Sequence, residues 1–184
     1  MSRAYILFIT GTSGSGKTTL YESLRSDKDL NGVEFHDIDE NGVPTVGRGP
    51  WRKYRVENLL YEAAQRQKNG ISTVVCGIAL PHEILESKYY KPSCNVHILL
   101  IETSPKQIRE RLKSRIDEHT DKGIFDESFN RNSRRDAVES NLKLRLILRN
   151  SVEALRRGHR IDASKLSEEE LYRKTKEVIE KVMK

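Results

Sequence analysis

Residues 11 to 18 read Gly11-Thr12-Ser13-Gly14-Ser15-Gly16-Lys17-Thr18, a complete G-x-x-x-x-G-K-[ST] pattern. An apolar run, Tyr5 to Ile9, precedes it, and helix-compatible residues follow from Thr18. Such a segment binds the phosphates of a nucleotide. Its glycines let the backbone wrap an anion with N–H groups turned inward, and the next helix presents its positive end to the same charge. Gly11, Ser13, Gly14, Ser15 and Gly16, with Lys17, Thr18 and Thr19, are therefore the candidate nucleotide contacts. Lys17 is placed to bridge the β and γ phosphates, and Thr18 to ligate Mg²⁺.

Transfer of a phosphoryl group also needs an acceptor hydroxyl held in line, and a carboxylate to orient it or take its proton. Asp37-Ile38-Asp39 closes a second apolar run, and strand alternation turns both carboxylates to one side, at the carboxyl edge of a parallel sheet. Asp37 and Asp39 can divide the roles of magnesium support and catalytic base, with Asp39 also meeting the acceptor. A plain acidic turn completed by Asn41-Gly42 is the alternative. The run Ser72 to Gly77 ends without the acidic residue that many nucleotide-driven motors and switches place there.

Arginines supply the remaining candidates. Arg48 and Arg52 flank Trp51 at the opening of a helical segment, where a guanidinium fork and an aromatic plane suit an anionic or sugar-like acceptor. Equally, Trp51 can anchor the helix start in the core and leave both arginines solvated. Arg111 and Arg115 lie four apart on one helix face, positioned to meet charge that spreads over a phosphoryl group in transfer. Arg109, Arg131, Arg134 and Arg135 are further candidates of the same kind.

These residues need a scaffold. Val33 to Ile38, Ile71 to Cys76 and Asn95 to Ile101 have the β-branched and apolar content of buried strands, and His159 to Asp162 supplies a last one. Helical patterns alternate with them. Arg52 to Lys68 ends at Asn69-Gly70, Pro81 to Leu85 is short, and Ser104-Pro105 opens a segment carrying Ile108 and Leu112. Ser133 to Arg157 runs long toward Gly158, and Ser167-Glu168-Glu169-Glu170 forms a capping box before a final amphipathic helix. Strand–helix alternation implies a parallel sheet covered on both faces. The polar stretch from Ile116 to Asn132 interrupts the order, and a lid over about residues 116–135 is expected there.

The chain has 184 residues, 36% of them hydrophobic, which suits a single domain over 1–184. Lys and Arg outnumber Asp and Glu, 33 to 27, giving a formal charge of +6 that suits a polyanionic ligand. No apolar run approaches a membrane span, and a soluble cytoplasmic protein with no membrane partner, monomeric or homodimeric, is expected. Cys76 and Cys94 read as reduced core thiols, and the five histidines show no metal-ligand spacing.

Taken in order, Thr10 to Thr19, Asp37-x-Asp39, Arg48-Gly49-Pro50-Trp51, Cys76-Gly77-Ile78-Ala79-Leu80 and Arg111-x-x-x-Arg115 resemble the small P-loop kinases. The layout is most similar to the gluconate and shikimate kinase group, and is similar also to chloramphenicol phosphotransferase and to the kinase module of polynucleotide kinases. The resemblance implies a three-layer α/β P-loop NTPase fold with a five-stranded parallel sheet in the order 2-3-1-4-5 and a helical lid. It implies lid arginines that close on the phosphates, and a loop after His159 to Asp162 that skirts the adenine of ATP. The His-Phe pair that follows the lid arginines in gluconate kinases is missing here. The expected activity is Mg²⁺- and ATP-dependent transfer to a hydroxyl of a small molecule: a sugar acid, a nucleoside or nucleotide, or an antibiotic. A nucleic acid 5′-hydroxyl is a weaker alternative, for want of a compact basic and aromatic tract. A nucleotide-dependent regulatory module that is not an enzyme is the third.

Overall fold

A computed structural model describes residues 4–44, 46–121 and 131–183. Five strands, β1 (Ile6–Thr10), β2 (Val33–Asp37), β3 (Ser72–Cys76), β4 (Val96–Glu102) and β5 (Gly158–Asp162), form one sheet in the order β2-β3-β1-β4-β5. All four pairings are parallel. This is the expected order, and it leaves the carboxyl ends of all strands at one edge.

Burial on both sides of the sheet explains why β1 reads as a continuous apolar run. Leu7 and Ile9 face one core with Leu20 and Leu24 of α1 (Lys17–Arg25) and Leu171, Ile179 and Val182 of α6 (Glu168–Met183). Ile6 and Phe8 face the other, with Val56, Leu59 and Leu60 of α2 (Arg48–Lys68), Ile84 of α3 (Pro81–Leu85), and Leu148 and Val152 of α5 (Arg131–Glu153). Full burial of each such side chain stabilises by about 1.5–3 kcal/mol, so the two cores fix β1 and the loop that leaves it.

Several helix ends follow from local chemistry. α2 begins at Arg48, earlier than the expected Arg52, because Pro50 falls in its first turn, where a missing N–H forfeits no intrahelical bond. It stops where Gly70, at a φ of +78°, lets the chain reverse. The Ser167 box forms as expected: Ser167 N donates to Glu170 Oε2 at 2.8 Å and Glu170 N to Ser167 Oγ at 3.2 Å. α5 ends at Glu153, short of the expected Arg157, and Leu155 N donates to Val152 O at 3.0 Å as the chain turns into β5.

α4 spans Pro105–Asp121, so the expected lid opens as regular helix, continuing the stripe of Ile108, Leu112 and buried Ile116. Arg131 to Arg135 likewise belong to α5. The centre of the expected lid, 122–130, lies outside the described residues, as do the side chains of Arg131 and Arg134. No described helix is long and apolar enough to cross a membrane.

α5 is fixed to the sheet through a buried carboxylate. Glu102, 3% exposed at the end of β4, is ion-paired with Arg145 of α5 and, at 2.8 Å, with Arg160 of β5. Arg145 Nε also donates to Thr103 O at 2.9 Å.

Candidate active site

The loop between β1 and α1 folds around its own glycines. Gly14 and Gly16 take φ values of +77° and +93°, which L side chains rarely adopt, and Gly16 caps α1. At Gly11 a Cβ would collide with the carbonyl oxygen of Ile101, so β4 packs directly against the loop's first residue. The first amides of α1 have no intrahelical acceptor, which leaves those of Lys17, Thr18 and Thr19 at the mouth of the loop.

Lys17 turns back on this loop, its Nζ donating to Thr12 O at 2.7 Å and to Ser15 Oγ at 3.2 Å. Burial of the ammonium brings its pKa down to about 8, with Asp39 and Asp37 pulling the other way and Arg115 adding to the fall. Under the lysine, the Cys76 thiol donates to Lys17 O at 3.6 Å, and burial pushes it up to about 12. Cys76 is therefore an inert wall of the site, consistent with a reduced core thiol.

Asp37 and Asp39 face the same space. Ile38, between them, is 1% exposed and packs with the α2 side of the core, while its N–H donates to Cys76 O at 2.8 Å. Asp37 Oδ1 accepts the Asp39 N–H at 2.8 Å, which sets the two carboxyls relative to each other. The Asp39 carboxyl is held above its ordinary range by loss of water and then by Asp37, against the pull of Lys17, Arg52 and Arg55. Gly77, with a φ of +137°, makes room for this corner: a Cβ there would lie 2.7 Å from Ile38 Cβ.

One cavity of about 400 Å³ joins these groups, lined by Ser13 to Thr19, Asp37, Asp39, Gly77, Arg111 and Arg115. Its far wall is the β5–α6 connection, where Ala163, Leu166 and Ser167 line the space. Gln107 of α4 secures that wall, its Nε2 donating to Ser164 O at 2.8 Å. Arg111, one turn along α4, donates from Nη1 to Gly14 O at 2.8 Å. Arg115, a further turn along, has no hydrogen-bonded or ion-paired partner among the described residues.

The acceptor-side residues are arranged differently from a free arginine fork. Arg48 is exposed and donates to Pro44 O at 3.2 Å, and Trp51 packs, partly buried, against the α2 core. Arg52 forks onto Glu83 of α3, with Nε at 3.1 and 3.2 Å and Nη2 at 2.8 Å from its carboxylate oxygens. Glu83 is 5% exposed and also accepts the Leu80 N–H at 2.9 Å. None of Arg48, Trp51 and Arg52 lines the cavity. Sequence reasoning passed over Arg55, which donates to Ile38 O at 3.3 Å beside the acidic pair, although its place one turn after Trp51 on α2 was a signal.

Thr18 and the two aspartates are hard oxygen donors on one cavity, the set a magnesium ion takes when phosphates complete its shell. Among the described residues no group of three or more His, Cys, Asp or Glu could hold a metal unaided.

No protein-family model matches the chain. A probable adenylyl-sulfate kinase of Archaeoglobus fulgidus is 32% identical over 78 residues, covering 39% of this chain and 50% of that protein. The match thus spans half the length of this curated relative. Among solved structures, a gluconokinase of Sinorhizobium meliloti superposes with a TM-score of 0.60 at 16% identity, over 100% of this chain and 95% of that one. A sugar kinase from a Janibacter species gives 0.58 at 20% identity, over 98% and 99%. The fold is that of the P-loop kinases.

Proposed function

We propose that this chain is a single-domain, Mg²⁺-dependent kinase that moves the γ-phosphoryl group of ATP to a hydroxyl of a small metabolite. The observation that carries the reading is the cavity itself: Lys17 and Thr18, Asp37 and Asp39, and Arg111 and Arg115 come from three separate elements and line one space. The kinases to which the chain is similar support it, and the basic balance of the chain suits the ligand.

The loop amides and the end of α1 bind the triphosphate, and Lys17 leaves Thr12 and Ser15 to meet its distal oxygens. Asp39 accepts the proton of the acceptor hydroxyl, a role suited to a carboxyl held above its ordinary range. The acceptor oxygen then bonds to the γ phosphorus as the bond to the β–γ bridging oxygen breaks, and ADP leaves. Arg115, which has no described partner, meets the charge that spreads over the transferring group. Thr18 and Asp37 would hold magnesium, which supplies charge neutralisation on the phosphates when bound. The Arg52–Glu83 pair shapes the acceptor side by joining α2 to α3.

The test is to incubate the protein with γ-labelled ATP and Mg²⁺, offering gluconate, adenylyl sulfate, a metabolite pool and a 5′-hydroxyl oligonucleotide separately. Label in a small metabolite is the expected result. Label in the oligonucleotide alone would move the acceptor to nucleic acid, and label in inorganic phosphate alone, or none released, would end the kinase reading.

A further inference from the structure

The crest of the phosphate loop is held by a side chain from α5. Ser13 N–H donates to Asn141 Oδ1 at 3.0 Å, joining residues 128 positions apart. The amide of Asn141 is itself oriented, because its Nδ2 donates to Ala137 O at 2.9 Å one turn earlier on the same helix. Its oxygen therefore faces the loop and its nitrogen faces away. One turn later on that face, Arg145 grips Glu102 and Thr103 O at the end of β4. The helix thus has a fixed base on the sheet and a polar finger on the loop. From the other side Arg111 holds the carbonyl of Gly14, the very next residue. Two helices grip neighbouring residues of a crest that Gly14 leaves conformationally free.

We infer that Asn141 is a positioning residue for the nucleotide, which fixes the crest of the phosphate loop and so sets the loop's affinity. This rests on the kinase reading for the identity of the ligand. By holding the Ser13 N–H, Asn141 fixes the crest before the nucleotide arrives, so less loop order remains to be lost on binding. Asn141 touches no reacting atom in this role. Its effect belongs in KM for ATP, with kcat little changed.

The experiment measures KM for ATP, kcat, and the thermal midpoint without nucleotide, for the unaltered protein, Asn141→Ala, Asn141→Leu and Leu148→Ala. Asn141→Leu keeps the branched shape of the side chain and removes the acceptor. Leu148, 0% exposed on α5, unsettles the helix packing without touching the loop. Both Asn141 variants are expected to raise KM about fivefold, the factor for one neutral hydrogen bond, with kcat within about twofold and nearly unchanged midpoints. Leu148→Ala should lower the midpoint and spare KM. An unaltered KM in both Asn141 variants overturns the inference, as does a lowered midpoint as its sole effect. A starting protein that neither binds nor uses ATP overturns the kinase reading as well, which separates the two failures.

Discussion

Arg111 donates to the carbonyl oxygen of Gly14 at 2.8 Å, while Arg115, one turn further along the same helix, has no partner among the described residues. Two arginines four apart thus do different work: one shapes the loop, the other stays available to a ligand. Arg115→Ala is expected to lower kcat by about 100-fold with modest change in KM for ATP, the usual loss for one donor to transition-state charge. Arg111→Ala should act mainly on KM. Steady-state kinetics on both variants decides it, and the reverse assignment would exchange the two roles.

Lys17→Ala should abolish transfer and leave the fold intact, since among the described residues the ammonium bonds to Thr12 O and Ser15 Oγ within its own loop. With its pKa brought down to about 8 by burial, Lys17 sheds its proton as pH rises through that value. ATP must then restore the charge, so binding at pH 8 to 9 should take up protons and weaken with rising pH. Calorimetry in buffers of differing ionisation enthalpy reads the uptake, and Lys17→Ala should remove it.

Asp39→Asn should cost far more transfer than Asp37→Asn at saturating Mg²⁺, if Asp39 is the base. Asp37 raises the Asp39 carboxyl, so Asp37→Asn should move the acid limb of the kcat/KM profile to lower pH. Asparagine keeps the oxygen that accepts the Asp39 N–H, which preserves the turn. Full activity in both variants would remove the pair from the chemistry.

Away from the site, His97 Nδ1 lies 3.1 Å from His159 Nε2, and the rings stack with centroids 5.4 Å apart. Burial, then His159 and Arg157, bring the pKa of His97 down to about 4, and burial and Lys181 lower that of His159. In the unfolded chain both titrate near 6.5. Between about pH 6.5 and 4 the unfolded state binds more protons, so stability is fully present above that window and falls as the pH drops through it. His97→Phe should flatten the fall in denaturant unfolding curves.

Arg52→Ala should destabilise the fold by about 3 kcal/mol, because it strands the nearly buried carboxylate of Glu83. Chemical denaturation measures this, and pairing it with Glu83→Gln in a double-mutant cycle isolates the interaction. A change in acceptor KM without loss of stability would instead return Arg52 to direct contact with the acceptor.

The phosphate loop and the buried strands could be read from the chain because their causes are local, whereas the sheet order came with the family resemblance. Glycines at Gly14 and Gly16 announce a backbone other residues avoid, and β1 is apolar throughout because both its faces are covered. Strand alternation predicted a shared face for Asp37 and Asp39, but β2 ends at Asp37 and it is the turn after it, closed by the Asp39 N–H on Asp37 Oδ1, that brings both carboxyls to the cavity. What stayed hidden were the long-range polar pairs: Arg52 with Glu83, 31 positions apart, and Gln107 with Ser164, 57 apart. A charged residue on a helix carries no mark of whether a partner or water receives it. That α4 runs on through Ile116 to Asp121 was obscured by the polar neighbours of Ile116, which outweigh its place in the Ile108-Leu112-Ile116 stripe.

The corner where Gly77 meets Ile38 gives the acidic pair a second determinant, one behind the site. Because Ile38 sits between the two aspartates and is pressed against a backbone that has no room for a methyl group, the aim of both carboxylates is inherited from a residue that meets no ligand. Resizing Ile38 or bulking Gly77 is therefore expected to shift Asp37 and Asp39 together, from behind the cavity they line.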